Sequence, residues 1–243
     1  MALLDPAQGE TVLELAAGPG DTGFIAAARL GREGLLLSTD VAPEMGDAAR
    51  RRATELGIEN VEFRVEDASA IDLPAASVHG VICRFGVMLV PDPTQALSEI
   101  ARVLRPQGRA VLAVWAAPDA NDWMTAAGRS ALELGLLERP DPNAPGPFRL
   151  ADAGELRRLV TGAGLRVNAL EDVPVLWRAA SLDEWWRTAQ DLSRMLTTLL
   201  ERVTPEEGRA VRDGAERRLA RYVKADGSLE VPGLARALLA VRG

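Results

Sequence analysis

Residue types that carry much of side-chain chemistry at neutral pH are nearly missing from this chain. It has one cysteine, Cys83, one histidine, His79, and one tyrosine, Tyr222. A lone cysteine excludes an internal disulfide and any cysteine-based metal cluster, and no metal site is expected. No apolar run reaches spanning length and no signal peptide opens the sequence, so a soluble, cytoplasmic protein without membrane contact is expected. A basic excess is lacking too. The net charge is −7 and the pI about 5.0, which argues against nucleic acid or an anionic membrane as partner. The short basic run Arg50 to Arg52 falls on a predicted helix and reads as a solvated face. No internal repeat is visible.

Apolar residues are plentiful, at 47% of 243 positions, enough for a substantial core. That length suits one α/β domain or a core with a smaller cap. The chain is organised around residues 11–23, TVLELAAGPGDTG. Thr11 to Leu15 read as a short buried strand. A run of small residues, Ala16 to Gly20, makes a tight turn. Asp21 or Thr22 then caps a helix with Phe24, Ile25 and Ala28 on its inner face. Strand, glycine turn and helix form the first crossover of a doubly wound sheet, where a nucleotide-like ligand meets the strand's carboxyl end. Glycine lets the backbone approach that ligand, and the helix start offers unpaired N–H groups.

The pattern repeats downstream. GLLLSTD (34–40) is a second strand ending at Asp40, followed by a helix from Pro43 to Leu56 with Met45, Ala48, Ala49 and Leu56 facing the core. Val61 to Val65 and Val78 to Cys83 are further strands. A helix opened by Pro93 uses Leu97, Ile100, Ala101 and Leu104. RPQGR is a turn into a fifth strand, Ala110 to Trp115. Short strands alternating with helices predict a mostly parallel, doubly wound sheet covered on both faces. The core is expected over 1–118, with the rest of the sheet, strands six and seven, in 119–243. Asp119 to Leu137 reads as a helix, RPDPNAPGP (139–147) as a loop, and Asp152 to Ala163 as another helix. Leu165 to Val175 is a sixth strand. A helical cap is expected at about 178–225, with one helix carrying Trp185, Leu192, Met195, Leu196, Leu199 and Val203 and another from Pro205 to Tyr222. Pro232 and Gly233 place a seventh strand only after them.

Three acids fall at successive strand ends: Glu14 within the first, Asp40 closing the second and Asp67 past the third. In a doubly wound sheet these ends are neighbours, so the carboxylates gather at one crevice. Asp40 stands at the separation from the glycine turn that suits ribose hydroxyls. Asp67 can accept from an adenine amino group. Glu14 suits a cationic amine and would work against a pyrophosphate of its own sign. A positively charged, phosphate-free nucleoside fits best.

With these residues in place, the sequence resembles the class I S-adenosylmethionine-dependent methyltransferases, in the broad group of the ubiquinone/menaquinone C-methyltransferases. VLELAAGPG matches the family's first motif, TDVAPEM the second-strand acid and its following methionine, and VEDASAIDLP the adenine loop. CRFGVMLVPDP and EIARVLRPQGR match the fourth-strand and pre-fifth-strand signatures. The five motifs run in order over roughly residues 11–116. The resemblance implies a Rossmann-like seven-stranded sheet, S-adenosylmethionine as cofactor and a small-molecule acceptor. It implies that Glu14, Ala16, Gly18 and Gly20 surround the methionine moiety and that Asp40 holds the ribose. Val41 and Met45 would lie beside the adenine, Asp67 and Ala68 at its edge, and Arg84, Phe85 and Met88 would border the sulfonium and the acceptor. Ala16 departs from the family's usual first glycine, and its methyl narrows the pocket. Relatives also carry some tens of residues ahead of the first motif, as helices closing over the cofactor. Ten precede Thr11 here, which implies a truncated chain or a cover supplied by another segment.

No catalytic residue is assigned. Displacement at an activated sulfonium carbon needs mainly collinear reactants and excluded water. His79 sits near the start of its strand, roughly 13 Å from the far end at about 3.3 Å per residue, and reads as a surface residue. Tyr222, Asp119 and Asp122 are the other candidate bases. Phe85, Met88 and Trp115 suit either core packing or acceptor contact, and Arg84 either solvent, a carboxylate or the site. Cys83 reads as an inert strand residue. Trp185 and Trp186 point about 100° apart on a helix. They pack inward, meet a homodimer partner, or face an apolar acceptor. GPGDTG also fits G-x-G-x-x-G, so an NAD-dependent oxidoreductase is the alternative function. A non-catalytic methyltransferase-like binding domain is the second.

Overall fold

The computed structural model describes residues 1–243. In chain order the elements are β1 (Thr11–Leu15), α1 (Gly23–Leu30), β2 (Leu35–Asp40), α2 (Pro43–Leu56), β3 (Val61–Val65), β4 (Val78–Arg84), α3 (Pro93–Val103) and β5 (Leu104–Trp115). They continue with α4 (Asp122–Glu133), α5 (Ala153–Gly162), β6 (Leu165–Ala179), α6 (Leu182–Leu192), α7 (Arg194–Leu200), α8 (Pro205–Leu219) and β7 (Leu229–Arg242). The seven strands form one mixed, mostly parallel sheet in the order β3-β2-β1-β4-β5-β7-β6. β1 pairs in parallel with both β2 and β4, and the strand order reverses between them. That reversal opens a crevice at the carboxyl ends, where open α/β sheets bind ligands.

The chain divides into two compact units. The first comprises Met1–Trp115, Asn143–Asp172 and Arg236–Gly243; the second comprises Ala116–Pro142 and Val173–Ala235. In the first unit strand residues alternate between two apolar layers, as the two-residue period requires. Val12, Leu36 and Ile82 pack with Phe24, Ala26, Ala27 and Leu30 of α1 and Ala49 and Ala53 of α2. Leu13, Leu15, Leu37, Val81 and Cys83 pack with Leu97, Ile100 and Val103 of α3 and Leu156 and Val160 of α5. Both faces of the sheet are thereby covered, and near-continuous apolar strands such as LLLS are the result.

Burial presses the Cys83 thiol up to about 12, because a thiolate has no solvation there. A disulfide exchange reagent at pH 8 is expected to leave Cys83 unmodified in the native protein and to label it stoichiometrically in denaturant. Labelling of the native protein within minutes would contradict this burial.

Several element readings are corrected. α1 turns Ile25, 53% exposed, and Ala28 outward; its buried stripe is Gly23, Ala26, Ala27 and Leu30, with Phe24 beside it. Thr22 is the N-cap but makes no side-chain capping bond. On α2 the buried residues are Ala49 and Ala53, while Met45 and Leu56 are exposed. β5 begins at Leu104, not Ala110. RPQGR is absorbed as an irregularity, where the pairing skips from Val78↔Leu104 to Gly80↔Arg109 and Gln107 takes φ +65°. A bulge can hold such turn residues inside a strand.

In the second unit Pro118–Ala120 is a 3-10 turn ahead of α4, which stops at Glu133. The tryptophan-bearing helix is two helices, α6 and α7. Ser193 ends one and caps the other by accepting from the Leu196 N–H, leaving Leu192 and Met195 exposed. β7 runs straight through Pro232 and Gly233. Pro232 is exposed. A Cβ on Gly233 would come within 2.8 Å of Asn121 Oδ1. Buried Asn121 brackets the strand instead, accepting from the Leu234 N–H and donating to the Leu234 carbonyl, each at 3.0 Å.

Trp185 and Trp186 are both buried in this unit's core with Ala126, Leu196, Val211 and Leu219. Trp185 Nε1 donates to the Trp123 carbonyl at 2.9 Å. Both indoles are therefore packing residues.

Candidate functional site

The site is built on the carboxyl ends of β1, β2 and β4 and the turn joining β1 to α1. Glu14 lies on the same face of β1 as Val12, beneath the first turn of α1. It is 2% exposed, and its Oε2 is buried with no hydrogen-bond partner. Burial raises its carboxyl from 4.5 to about 8. The Gly23 N–H and the Arg84 charge offset this only in part, and the charges of Asp21 and Asp40 oppose them. A buried carboxyl without a cation is held as the neutral acid.

Asp40 closes β2 and ties the glycine turn to it. Its Oδ2 accepts from the Gly18 N–H at 2.9 Å and its Oδ1 from the Ala42 N–H at 3.0 Å. Each oxygen keeps a lone pair for a hydroxyl. Gly18 takes φ +55°, and a Cβ built on it meets nothing within 4 Å. The backbone there faces open space, where a ligand can lie directly on the turn. Gly20 takes φ +89°, and its Cβ would strike the Phe24 ring at 2.4 Å. Glycine is required there by both conformation and packing.

Ala16 takes φ +50°, a costly conformation for a residue with a Cβ. Its methyl is accommodated by Gly86 after β4, where an added Cβ would fall 2.4 Å from the Ala16 Cβ. The departure from the usual glycine at position 16 is thus matched across the strand ends.

Val41 is 69% exposed and Met45 43%. Both are apolar side chains left open to solvent in the stretch that follows β2. Asp67 lies just past β3 and accepts from the Ser69 N–H at 2.8 Å through Oδ1; Ala68 is half-buried next to it. Because β3, β2 and β1 are successive in the sheet, the three acids stand on adjacent strand ends.

Arg84 closes β4, on the face it shares with Ile82. Its guanidinium is 3.3 Å from Asp21 and 5.8 Å from the Phe85 ring centroid. Asp21 also binds Arg52 of α2, which draws its pKa down. Arg52 therefore reaches the glycine turn and is more than a solvated surface charge. Phe85 takes φ +60° and stacks on Trp115 at 4.1 Å, interplanar angle 3°. Met88 lies apart from this group. Its side chain is buried in the layer under α3, and its carbonyl accepts from the Gly146 N–H, so its side chain is not at the rim.

Asp21 and Gly86 were not read from the sequence as site residues. The signal for Asp21 is an acid directly after the glycine turn; Gly86 follows from the Cβ at position 16. The remaining candidate bases have other partners. His79 Nδ1 accepts from the Thr11 N–H at 3.0 Å, and its Nε2 faces Arg105 at 2.8 Å. Tyr222 donates to Asp122, which also binds Arg221, and Asp119 binds Arg129.

A turn opened by positive φ, an acid aligned for hydroxyls and a buried acid lacking a cation suit an adenosyl group carrying an ammonium. Comparison with known proteins agrees. Residues 12–108 match the methyltransferase domain family. Residues 12–108 are a class I S-adenosylmethionine-dependent methyltransferase domain.

This methyltransferase domain is 37% identical over 105 residues to the aklanonic acid methyltransferase DauC of Streptomyces sp. (strain C5), covering 43% of the chain and 48% of that protein. It is 31% identical over 123 residues to the demethylmenaquinone methyltransferase of Listeria monocytogenes serotype 4a (strain HCC23), covering 51% of the chain and 52% of that protein. The match thus spans about half the length of each relative. The YcgJ protein of Bacillus subtilis shares the fold, with TM-score 0.63 and 20% identity over 98% of this chain and 94% of that one. S-adenosylmethionine is the cofactor of this domain. The comparisons lend an NAD-dependent oxidoreductase no support.

Proposed function

We propose that this chain transfers a methyl group from S-adenosylmethionine to a small-molecule acceptor by in-line displacement. The buried Glu14 carboxyl beneath the glycine turn, whose Oε2 has no hydrogen-bond partner, carries the reading, because a ligand ammonium supplies one. Glu14 holds that ammonium, and the backbones of Ala16, Gly18 and Gly20 surround the methionine moiety. Asp40 takes the ribose hydroxyls, Val41 and Met45 cover the adenine, and Asp67 and Ala68 meet its edge. Arg84 and Phe85 border the acceptor. When bound, the sulfonium supplies an electrophilic methyl carbon. The residues need then only align the acceptor and exclude water.

Charge opposes a dinucleotide. Asp40 would face a diphosphate of its own sign, and a diphosphate would leave the neutral, buried Glu14 carboxyl without the cation that ionises it. Titration calorimetry is expected to show micromolar or tighter binding of S-adenosylhomocysteine and none of NADH at millimolar concentration. Asp40→Ala removes the acceptor for two backbone N–H groups and for the ribose. With hydrogen bonds to a charged group worth about 1.5–3 kcal/mol, S-adenosylhomocysteine affinity should fall at least tenfold. Tight NADH binding, or unchanged affinity in Asp40→Ala, would overturn the reading.

A further inference from the structure

The second unit holds a cavity of about 430 Å³ beside α7, within the roughly 300–1,000 Å³ usual for small-molecule sites. Local sequence builds it. Gly135 takes φ +71° just past α4, and the Leu136 N–H closes on the Ala131 carbonyl at 2.9 Å. A left-handed glycine with such a bond ends a helix, and the next two residues, Leu136 and Leu137, line one side of the cavity. The other side is α7 and the turn after it, where the Val203 N–H meets the Leu199 carbonyl at 3.2 Å. Residues four apart share a helix face. Met195, Leu199 and Val203 therefore form one row, and Arg194, Thr198 and Arg202 the row beside it.

The apolar part of this lining holds no aromatic ring. It is leucine, valine and methionine, and methionine adapts its shape to what it meets. Leu136, Leu137 and Val203 are only partly buried, and Met195 is 49% exposed, so the cavity is open to a ligand. The basic row has no acid to match it. Arg212 and Arg218 of the same unit are each held by carboxylates, whereas the side chains of Arg194 and Arg202 make no ion pair and no hydrogen bond. Of the acids close to the cavity in sequence, Glu133 is bound to Arg218, and Glu138, Asp191 and Glu201 are exposed. None of the four lines the cavity. It thus carries two positive charges and no negative one, and a guanidinium stays charged at any pH the protein meets.

We propose that this cavity binds an unbranched aliphatic carboxylate, its headgroup on the Arg194–Thr198–Arg202 row and its chain along Met195, Leu199 and Val203 against Leu136 and Leu137. The inference uses residues of the second unit alone and does not rest on the methyl-transfer reading. The guanidinium forks and the Thr198 hydroxyl supply donors for both carboxylate oxygens. An aliphatic lining suits a flexible chain, since flat area for stacking a ring is missing. Charge selects a free molecule over the other occupants of an apolar groove. A second copy docked face to face would bring two such arginine rows together. An anionic bilayer would meet a protein of net charge −7, which opposes adsorption.

The test uses the whole chain and probes that separate chain from charge: decanoate, 1-decanol and butanoate. Titration calorimetry is expected to show decanoate binding at least about tenfold more tightly than decanol, as loss of charge-assisted hydrogen bonds implies. Butanoate, which keeps the charge and loses most of the chain, should give no measurable binding. Replacing both arginines, Arg194→Gln with Arg202→Gln, should bring decanoate to the decanol level while S-adenosylhomocysteine affinity stays within threefold. Met195→Asp should abolish decanoate binding, and circular dichroism should show both variants folded, as these positions are exposed. Equal affinity for decanoate and decanol, binding of neither, or a preference that survives the double substitution would overturn the proposal. So would displacement of S-adenosylhomocysteine by decanoate, which would put the chain in the donor cavity. Sedimentation velocity and flotation with phosphatidylglycerol vesicles cover the other occupants. A dimer dispersed by Met195→Asp, or vesicle binding lost in the double variant, would make this face an interface between copies or a membrane contact and end the proposal.

Discussion

The Glu14→Gln variant is expected to bind S-adenosylhomocysteine at least 100-fold more weakly than the parent protein while being more stable in alkaline buffer. The two effects share one cause. Burial raises the Glu14 carboxyl from 4.5 to about 8, and its Oε2 has no partner. The unfolded chain loses this proton near pH 4.5, whereas the folded protein holds it to about pH 8. Across that window the native state binds more protons, so stability is greatest at the acid end and falls as pH rises. At 1.36 kcal/mol per pH unit, the loss approaches ~5 kcal/mol above pH 8. Glutamine has nearly the same shape and no titration, so the variant's denaturant midpoint should be flat in pH where the parent's declines.

Binding carries the opposite sign. An ammonium favours the ionised carboxylate, and truncating one member of a buried charge pair costs about 2–5 kcal/mol, enough for the 100-fold loss. Because the carboxyl is mostly protonated at pH 7, binding should release close to one proton. Calorimetry in two buffers of different ionisation enthalpy reads this directly, and Glu14→Gln should abolish the difference. Affinity should rise with pH from 6 to 8 in the parent protein. A variant that binds as the parent does, or keeps its pH slope, would remove Glu14 from the site. This is the trade between stability and function expected where a site keeps a group unpaired for its ligand.

The second large effect is in the core of the second unit. Trp185→Ala is expected to lower stability by about 4 kcal/mol, within the range for truncating a buried tryptophan. Trp185 is 1% exposed and packs among Ala126, Leu196, Val211 and Leu219. Its Nε1 donates to the Trp123 carbonyl, and the truncation also removes that hydrogen bond. Trp185→Phe keeps part of the volume and loses the bond, and should cost about half as much. Urea unfolding followed by far-ultraviolet circular dichroism gives both values. A loss below about 1 kcal/mol in Trp185→Ala would show the indole to be a surface contact. Ligand affinity offers a second reading, since an acceptor-facing tryptophan would change it without changing stability.

Legibility from the chain alone followed the range of the forces involved. The five strands and three helices of residues 11–115 could be read because each is a local pattern: short apolar runs, a glycine turn, a proline opening a helix. The acids at the strand ends followed from topology, since a doubly wound order makes those ends neighbours. Helix faces were less legible. On α1 one residue of rotation exchanges Ile25 for Ala26, and the sequence around both is apolar. β7 was hidden for a different reason. Pro232 and Gly233 normally break a strand, and only Asn121, more than a hundred residues away, shows why they do not.

The amino-acid sequence by itself determined the domain type, the cofactor and the rank of acids that receives it, because backbone geometry and charge at adjacent strand ends depend on residues close in the chain. Tertiary structure alone decided which carboxyl is shut away from solvent, which glycine makes room for Ala16, and how one aspartate is divided between two arginines. Those properties are set by burial and by distances across strands, and no local spacing encodes either.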